Sequence, residues 1–278
     1  MRGGEADEAI YFMINLEKIS GLPIELTDDY HLKFNPPLTD REPTIVRKFS
    51  ELMPVLMEQG LKPDYEDRYF VYRAISLPED EAKVKKYHLT YDVTILPPGK
   101  LGAEFNKTVG HYHANIPGKN IAHPEIYEVL NGRALFVLQK MDAEFRKVIS
   151  VLVIEADRGQ KVVYPPNYGH VIYNIGPDPV VTANWCSTNY KALYEPVAQL
   201  HGLAYFVTAS PHQPFDLAAN RNYGEIPAAR MFTNKFMSGF SIVATNRPMY
   251  IEGMLHPDEL EFLSNPEKYA VELSSISS

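Results

Sequence analysis

The sequence predicts a mainly β protein, an antiparallel sandwich or barrel with flanking helical segments. The 278-residue chain is rich in tyrosine (18) and proline (22), and aromatic residues combined with turn formers favour strands over a helical bundle. In KYHLTYDVTILPPG (86–99), apolar and polar residues alternate, which is typical of a half-buried strand. Short runs rich in valine and isoleucine follow, separated by Gly, Pro, Asn and Asp, and such spacing indicates a sandwich or barrel.

The first segment is predicted to be a helical extension packed on the barrel, spanning residues 1–60. In EPTIVRKFSELMPVLMEQG (42–60), apolar residues repeat at helical spacing, and Gly60 supplies a C-terminal stop. Pro54 lies inside this pattern and implies a kink.

The barrel itself is predicted to span residues 61–210. In IYEVLNGRALFVLQK (126–140), Asn131-Gly132 lies between apolar runs and indicates a hairpin, because both central residues must tolerate positive φ. The next predicted strands are VISVLVIEA, KVVYPP, HVIYNIG and PVVTANW.

Residues 211–278 are predicted to be a C-terminal extension of strands plus a short helix, within the same domain. Strand-like runs across this boundary are LAYFVTA, FSIVATN and PMYIEG. HPDELEFL (256–263) is predicted to be a short capped helix.

Composition limits the class of protein. The net charge is −8, and no run of Lys and Arg is longer than Lys85-Lys86, so we expect no nucleic-acid partner. No stretch reaches the roughly 18 apolar residues of a membrane span, and the N-terminal residues do not resemble a signal peptide. Cys186 is the single cysteine, so no intrachain disulfide is possible, and the sequence predicts a cytoplasmic protein.

Histidines cluster in TVGHYH (108–113). If this segment is a strand, His111 and His113 point to the same face. Glu125 enters from the next strand and His170 begins another, so three imidazoles and a carboxylate converge inside the barrel. That set suits Fe, Mn, Ni or Zn, with water or substrate in the remaining positions. The alternative for the His-x-His pair is a solvated strand face, and His123 is expected to be a solvated loop residue.

The surrounding segments PGKLGAEFNKTVGHYH, EIYEVLNG and VVYPPNYGHVIYNIG resemble the cupin-type glucose-6-phosphate isomerases. The resemblance runs from about Tyr69 to about Tyr194, somewhat under half of the chain. It implies a cupin jelly-roll barrel, and an enzyme that interconverts glucose 6-phosphate and fructose 6-phosphate. NIPGKNIAHP (115–124) stands as an insertion relative to the family.

The resemblance also implies roles for single residues. It gives the metal ligands as His111, His113, Glu125 and His170, and the contacts to the sugar phosphate as Tyr69, Thr94, Thr108, Gly110 and Tyr194. Tyr127 matches the active-site tyrosine two residues after the glutamate. One divalent metal ion per chain is implied, with iron the first choice and manganese, nickel or zinc the alternatives. A homodimer is expected by analogy of fold.

Aldose–ketose isomerisation moves hydrogen between C1 and C2 of the open-chain sugar. Either a base carries a proton through a cis-enediolate or a hydride shifts directly, and both routes develop negative charge on O1 and O2. Glu125 is the candidate base, although a bound metal would lower its pKa and weaken it. Tyr127 is expected to donate to a sugar oxygen or to help move a proton.

Other functions stay open at this point. A cupin isomerase acting on mannose 6-phosphate or another sugar phosphate would carry the same motifs. Three histidines and a glutamate also serve oxygen-using cupin dioxygenases. A non-catalytic, sugar-binding cupin would keep the ligands and lose turnover.

Overall fold

A computed structural model describes residues 13–233 and 240–276, and the protein is mainly β as predicted. Residues 1–12 of the predicted N-terminal extension, and residues 234–239 and 277–278 of the predicted C-terminal extension, lie outside the described residues. The strands, in chain order, are β1 Ile14–Asn15, β2 Ile24–Leu26, β3 Leu32–Phe34, β4 Ile45–Lys48, β5 Asp67–Tyr72, β6 Leu89–Leu96, β7 Lys100–Leu101, β8 Glu104–Phe105, β9 Tyr112–His113, β10 Glu125–Asn131, β11 Arg133–Met141, β12 Val148–Asp157, β13 Lys161–Tyr164, β14 Tyr168–Asn174, β15 Val180–Ser187, β16 Ala192–Leu193, β17 Tyr205–Thr208, β18 Asp216–Ala219 and β19 Arg230–Thr233.

Helices are short and lie mostly outside the sheets. The α-helices are α1 Glu17–Ser20, α2 Phe49–Leu52, α3 Glu81–Lys86, α4 Glu195–Gln199, α5 Ser241–Ala244, α6 Met249–Leu255, α7 Glu261–Ser264 and α8 Ala270–Ser275. The 3₁₀ helices are Met53–Val55, Pro257–Leu260 and Pro266–Tyr269. In the part of the chain that the structure covers, no helix has the length and apolar character to cross a membrane.

Two facing sheets form the jelly roll. One has the order β13-β10-β15-β6-β5-β4, and the other has the order β14-β11-β12-β19. The segment that leads into β9 joins the edge of β14 through antiparallel bridges from Lys107 to Tyr173 and from His111 to His170. From β10 to β15 the chain passes repeatedly between the two sheets, which is the winding of a jelly roll. The predicted cupin jelly-roll fold is therefore confirmed.

Strand β6 alternates as predicted, and its polar side chains lie on the inner face. Asp92 and Thr94 point into a cavity between the sheets. Tyr91 points outward and packs against Trp185, with ring centroids 4.8 Å apart, and the Trp185 ring stacks on Tyr250 of α6. Both faces of the strand are therefore covered, and the strand is buried rather than half-exposed, because helix α6 lies over its outer face.

The predicted helix over 42–60 is wrong. β4 occupies its first part and pairs antiparallel with β5, with Arg47 opposite Tyr69. Only α2 and the 3₁₀ turn Met53–Val55 are helical. Backbone hydrogen bonds between β4 and β5 override the helical spacing of the apolar residues, because the N–H and C=O groups at a strand edge need a hydrogen-bond partner. The preceding residues form a three-stranded sheet, β1-β2-β3, so the N-terminal extension is largely not helical.

The predicted Asn131-Gly132 hairpin is also wrong. Gly132 does have positive φ (76°), but β10 and β11 lie in different sheets. Asn131 Nδ2 donates to the Pro179 carbonyl at 2.7 Å, and a Cβ on Gly132 would come within 2.7 Å of the same oxygen. The turn therefore connects the two sheets, and a hydrogen bond holds it to the loop before β15.

Two predicted C-terminal strands are helices. FSIVATN contains α5, and PMYIEG lies mostly in α6. LAYFVTA does contain strand β17, and HPDELEFL is helical over Pro257–Leu260 and into α7. The three-part division at residues 60 and 210 stays a prediction.

Candidate metal centre

Strand geometry brings the four predicted ligands together. Glu125 is the first residue of β10, in one sheet, whereas His170 lies in β14, in the other. His111 forms an antiparallel bridge with His170, and His113 follows two residues later in β9 on the same face. Ring centroids are 4.5 Å apart for His111 and His170 and 5.2 Å apart for His111 and His113.

Donor atoms of three of these residues form one group, and His170 lies beside it. One ligand atom each from His111, His113 and Glu125 lie within 4.8 Å of one another. His113 Nε2 is 3.4 Å from Glu125 Oε1, and His170 Nε2 is 3.7 Å from Glu125 Oε2. Donors about 2.1 Å from a common ion lie at most about 4.2 Å apart, so the set is close to the spacing that a bound ion needs.

Unsatisfied ring nitrogens show that this donor set fits a metal. Within residues 13–233 and 240–276, His111 Nε2, His113 Nε2 and His170 Nδ1 are buried and have no hydrogen-bond partner. Buried polar atoms without a partner are uncommon and costly. His113 Nδ1 donates to the backbone carbonyl of His123 at 2.7 Å, which leaves the Nε2 lone pair directed at the carboxylate. A cation beside the Glu125 carboxylate would satisfy the Nε2 atoms of His111 and His113. His170 faces the carboxylate with Nε2, which also contacts the Tyr127 hydroxyl, and not with its unpaired Nδ1.

Protonation states also favour a cation. Burial holds the pKa of His111 well below its ordinary value and lowers the pKa of His170 to about 4, so both imidazoles are neutral at neutral pH. Burial acts to raise the pKa of Glu125, but positive charge on the imidazole side of the carboxylate outweighs burial and holds that pKa low. With His111 and His170 neutral, a bound cation would supply that positive charge and keep the carboxylate ionised.

Tyr127 lies on the same face of β10 as Glu125. Its hydroxyl donates to Glu125 Oε2 at 2.5 Å and is 3.0 Å from His170 Nε2. Burial, together with the Glu125 carboxylate, raises the pKa of this phenol well above its ordinary value, so it stays protonated. The phenol is a hydrogen-bond donor fixed at the edge of the ligand set.

The residues predicted to contact the sugar phosphate share one cavity. That cavity adjoins the ligand set, and its lining includes Tyr69, Thr94, Thr108, Gly110 and Tyr194. All of the predicted site residues line this cavity except His113, whose Nε2 nevertheless faces Glu125 in the ligand set.

Gly110 is required by close packing. Its φ is +80°, and an added Cβ would come within 2.3 Å of Val171 and 3.0 Å of the His170 carbonyl oxygen. A side chain here would displace the bridge that aligns His111 with His170.

Two arginines of the cavity were missed by the sequence analysis. Arg47 Nη2 donates to the Tyr194 hydroxyl at 3.0 Å, and Arg73 Nη1 donates to the Tyr190 hydroxyl at 2.8 Å. Both guanidinium groups belong to residues that line the cavity. The signal for Arg73 was present, because it follows Tyr69 by four residues along an extended segment and so shares its face.

The prediction that His123 is a solvated loop residue is wrong. The side chain is buried, with 6% of its surface exposed, and Nδ1 lies 2.8 Å from the backbone carbonyl oxygen of Leu263. The C-terminal segment covers the His123 side chain, and nothing in the local sequence around residue 123 indicates that contact.

Comparison with known proteins gives consistent matches. A family model described as Glucose-6-phosphate isomerase (GPI) matches residues 46–222. The glucose-6-phosphate isomerase of Thermococcus litoralis is 33% identical over 111 residues, which is 40% of this chain and 51% of that protein. That of Thermococcus gammatolerans is 30% identical over 138 residues, which is 49% of this chain and 66% of that protein. The chain thus spans between about half and about two thirds of the length of these curated relatives.

Among solved structures, the oxalate decarboxylase of Bacillus subtilis at pH 4.6 superposes with a TM-score of 0.33 at 16% identity. The aligned part covers 48% of this chain and 29% of that one. A vicilin from hazelnut, Corylus avellana, aligns over the same share of this chain with a TM-score of 0.34 at 10% identity.

Proposed function

Because the chain belongs to the cupin-type glucose-6-phosphate isomerase family, we propose that it interconverts glucose 6-phosphate and fructose 6-phosphate in the cavity beside the ligand set. The family model matches more than half of the chain, including every candidate site residue, and this supports the proposal. The relatives from Thermococcus litoralis and Thermococcus gammatolerans are glucose-6-phosphate isomerases, which supports it as well.

One observation carries the proposal: imidazoles and a carboxylate from separate strands converge, and the Nε2 atoms of His111 and His113 there have no hydrogen-bond partner. The residues that would hold a divalent cation are His111, His113, Glu125 and His170. Such a cation supplies a Lewis acid for the negative charge that develops on O1 and O2 of the sugar. We place iron first, with manganese, nickel and zinc as alternatives, since the donor set suits all four.

Glu125 and Tyr127 are the proposed catalytic residues. In the proton route, the Glu125 carboxylate takes the C2 proton and returns it to C1. The low pKa of Glu125 makes it a weak base, so direct transfer of hydrogen between the two carbons is the alternative route. Tyr127, held protonated by burial, orients the carboxylate and has a hydroxyl within reach of a sugar oxygen at the cavity edge.

The phosphate end of the substrate is proposed to lie against Tyr69, Thr94, Thr108, Gly110 and Tyr194. A dianion also needs positive charge, and the guanidinium group of Arg47 supports this placement because it donates to Tyr194. Arg73 lines the same cavity, where it lies 3.7 Å from the buried carboxylate of Asp92 and donates to Tyr190.

A coupled assay tests the function directly. Purified protein is given fructose 6-phosphate, and glucose 6-phosphate and mannose 6-phosphate are measured with separate coupling enzymes. We expect glucose 6-phosphate to form, activity to disappear on chelation, and one of Fe²⁺, Mn²⁺, Ni²⁺ or Zn²⁺ to restore it. Mannose 6-phosphate as the product would change the substrate assignment.

His170→Ala serves as the control, since it removes one ligand while leaving the rest of the strand. It should lose bound metal and activity together, and full activity in a metal-free His170→Ala protein would contradict the proposal. Oxygen consumption without isomerisation would point to a dioxygenase. Binding of fructose 6-phosphate without turnover would point to a non-catalytic cupin.

We also propose a homodimer that works in a reducing cytoplasm. Cys186 is buried, and as the single cysteine of the chain it forms no disulfide within it. Light scattering on the purified protein tests the dimer, for which a single-chain mass would be the contrary result.

A further inference from the structure

The orientation of His113 depends on a backbone carbonyl in the loop that precedes β10. His113 Nδ1 donates to the carbonyl oxygen of His123 at 2.7 Å, and this contact fixes which ring nitrogen faces Glu125. A displacement of that carbonyl would break this hydrogen bond and leave the imidazole free to rotate. The backbone at residue 123 is therefore part of the support of the ligand set.

The side chain of His123 connects this carbonyl to the C-terminal segment. His123 Nδ1 lies 2.8 Å from the carbonyl oxygen of Leu263 in helix α7 and so donates to it. Leu263 is fully buried, and α7 packs against β15. One residue thus uses its carbonyl to hold a ligand and its imidazole to hold the distant segment.

The loop itself is held on a second side. Asn167 Oδ1 accepts from the Ala122 amide at 2.7 Å, and Asn167 Nδ2 donates to the Asn120 carbonyl at 3.1 Å. An ion pair joins Lys119 to Glu267 in the C-terminal segment. The loop is therefore held between the barrel and the C-terminal segment, and His123 is its buried contact with the latter.

We propose that His123 is a positioning residue through which helix α7 sets the metal affinity of the site. The inference rests on the proposed metal site, but it links His123, inside the region that the family model matches, to α7, which lies beyond the end of that region at residue 222. The chain of contacts runs from the Leu263 carbonyl to the His123 imidazole, and from the His123 carbonyl to His113. With this chain intact, the Nε2 lone pair of His113 is aimed before any ion arrives, so less ordering is needed on binding.

The first experiment measures the dissociation constant of Co²⁺ by competition with a coloured chelator, together with the visible absorption of the Co²⁺ complex. His123→Phe keeps a ring of similar size and removes the donor, and we expect its Co²⁺ affinity to fall about tenfold with an altered spectrum. His123→Asn keeps an amide donor near the position of Nδ1 and should recover much of the loss.

His31→Phe is the matched control. His31 Nδ1 also lies 3.0 Å from a backbone carbonyl, that of Asp29, but in the turn between β2 and β3 and outside the residues that line the cavity. Its Co²⁺ affinity should equal that of the wild type. Equal affinity for His123→Phe and the wild type would overturn the proposal even if the metal-free variant were less stable, because a purely structural role predicts that result.

A second measurement needs no variant. If α7 supports the metal-bound site, Co²⁺ must in turn support α7, because coupling is reciprocal. Amide hydrogen exchange across residues 257–269 should slow when Co²⁺ is added to the wild-type protein. Slower exchange around residues 108–113 alone would overturn the link to α7, whereas a wild-type protein that binds no Co²⁺ would overturn the metal site and this inference together.

Discussion

Arg47 is a cationic side chain that lines the cavity and contacts Tyr194 at the proposed phosphate site. Its guanidinium carbon lies 5.1 Å from the centre of the Tyr194 ring, and one nitrogen donates to the Tyr194 hydroxyl. Another donates to Glu51 at 2.6 Å, so Glu51 holds the side chain over the cavity. Only 19% of the Arg47 side chain is exposed, which strengthens its interaction with an anion.

The first residue-scale prediction concerns this charge. Arg47→Gln should raise KM for fructose 6-phosphate about 10- to 100-fold, since a hydrogen bond to a charged group contributes about 1.5–3 kcal/mol. The turnover number kcat should change little, because the phosphate is remote from C1 and C2. Steady-state kinetics with saturating metal measures both constants.

Lys48→Gln is the matched control for Arg47→Gln. Lys48 is the next residue of β4, and its ammonium pairs with Asp67 at the exposed surface. The same loss of charge there should leave KM unchanged. If the two variants behaved alike, Arg47 would act only through the overall charge of the protein.

At the level of single residues, the metal ligands could be predicted from the sequence, but the residues that hold them in place could not. The i, i+2 spacing of His111 and His113 puts two rings on one face of any extended chain, so it was predictable. The burial of His123 depends on a segment about 140 residues away, with Leu263 as its partner. No local pattern encodes such a contact, and the same is true of Arg47, which reached the cavity only because β4 pairs with β5.

A buried cluster of polar groups ties the segment after α2 to the barrel. Lys107 Nζ donates to Glu104 at 2.8 Å and to the Val55 carbonyl at 2.6 Å. Glu104 also accepts from the Met57 amide at 2.7 Å and from the Tyr173 hydroxyl at 3.2 Å. Since both charged groups are fully buried, every bond in this cluster replaces water that the chain has excluded.

At the element scale, we predict that Glu104→Gln destabilises the protein by about 3–5 kcal/mol, because it leaves the Lys107 ammonium buried without a counter-charge. Denaturant unfolding of the metal-free protein measures this free energy. The double variant Glu104→Gln/Lys107→Met removes both charges and should recover a large part of it. Asp67→Asn breaks an exposed pair and should cost less than about 1 kcal/mol, so a similarly small effect of Glu104→Gln would refute the prediction.

The strands of the barrel were largely predictable, whereas their connections were not. Alternation of apolar and polar residues located β6, and short apolar runs bounded by Gly, Pro, Asn and Asp located β12, β14 and β15. The Asn131-Gly132 turn shows the limit, since a local turn signal does not tell whether the next strand pairs in the same sheet or crosses to the other. Similarly, FSIVATN and PMYIEG have β-branched or aromatic residues that suit a strand, yet as helices they cover the outer face of the barrel, with Tyr250 packed on Trp185.

For the whole molecule, the ligand set joins the two halves of the jelly roll. Glu125 belongs to the sheet of β10, and His170 belongs to the sheet of β14. Any ion held by both would link the sheets across the core. It would also bind the native chain far better than the unfolded one, because the unfolded chain does not bring residues 111–170 together.

Metal binding should therefore raise the thermal stability of the whole protein. With free metal at about one hundred times its dissociation constant, the native state gains about 2.7 kcal/mol. For a chain of this size that corresponds to a rise in Tm of about 5 °C. Scanning calorimetry of the chelated and metal-loaded protein measures the rise, and His170→Ala should show little of it under the same conditions. If the metal-loaded wild type had the same Tm as the chelated protein although elemental analysis found one ion per chain, the ion would lie outside the jelly roll.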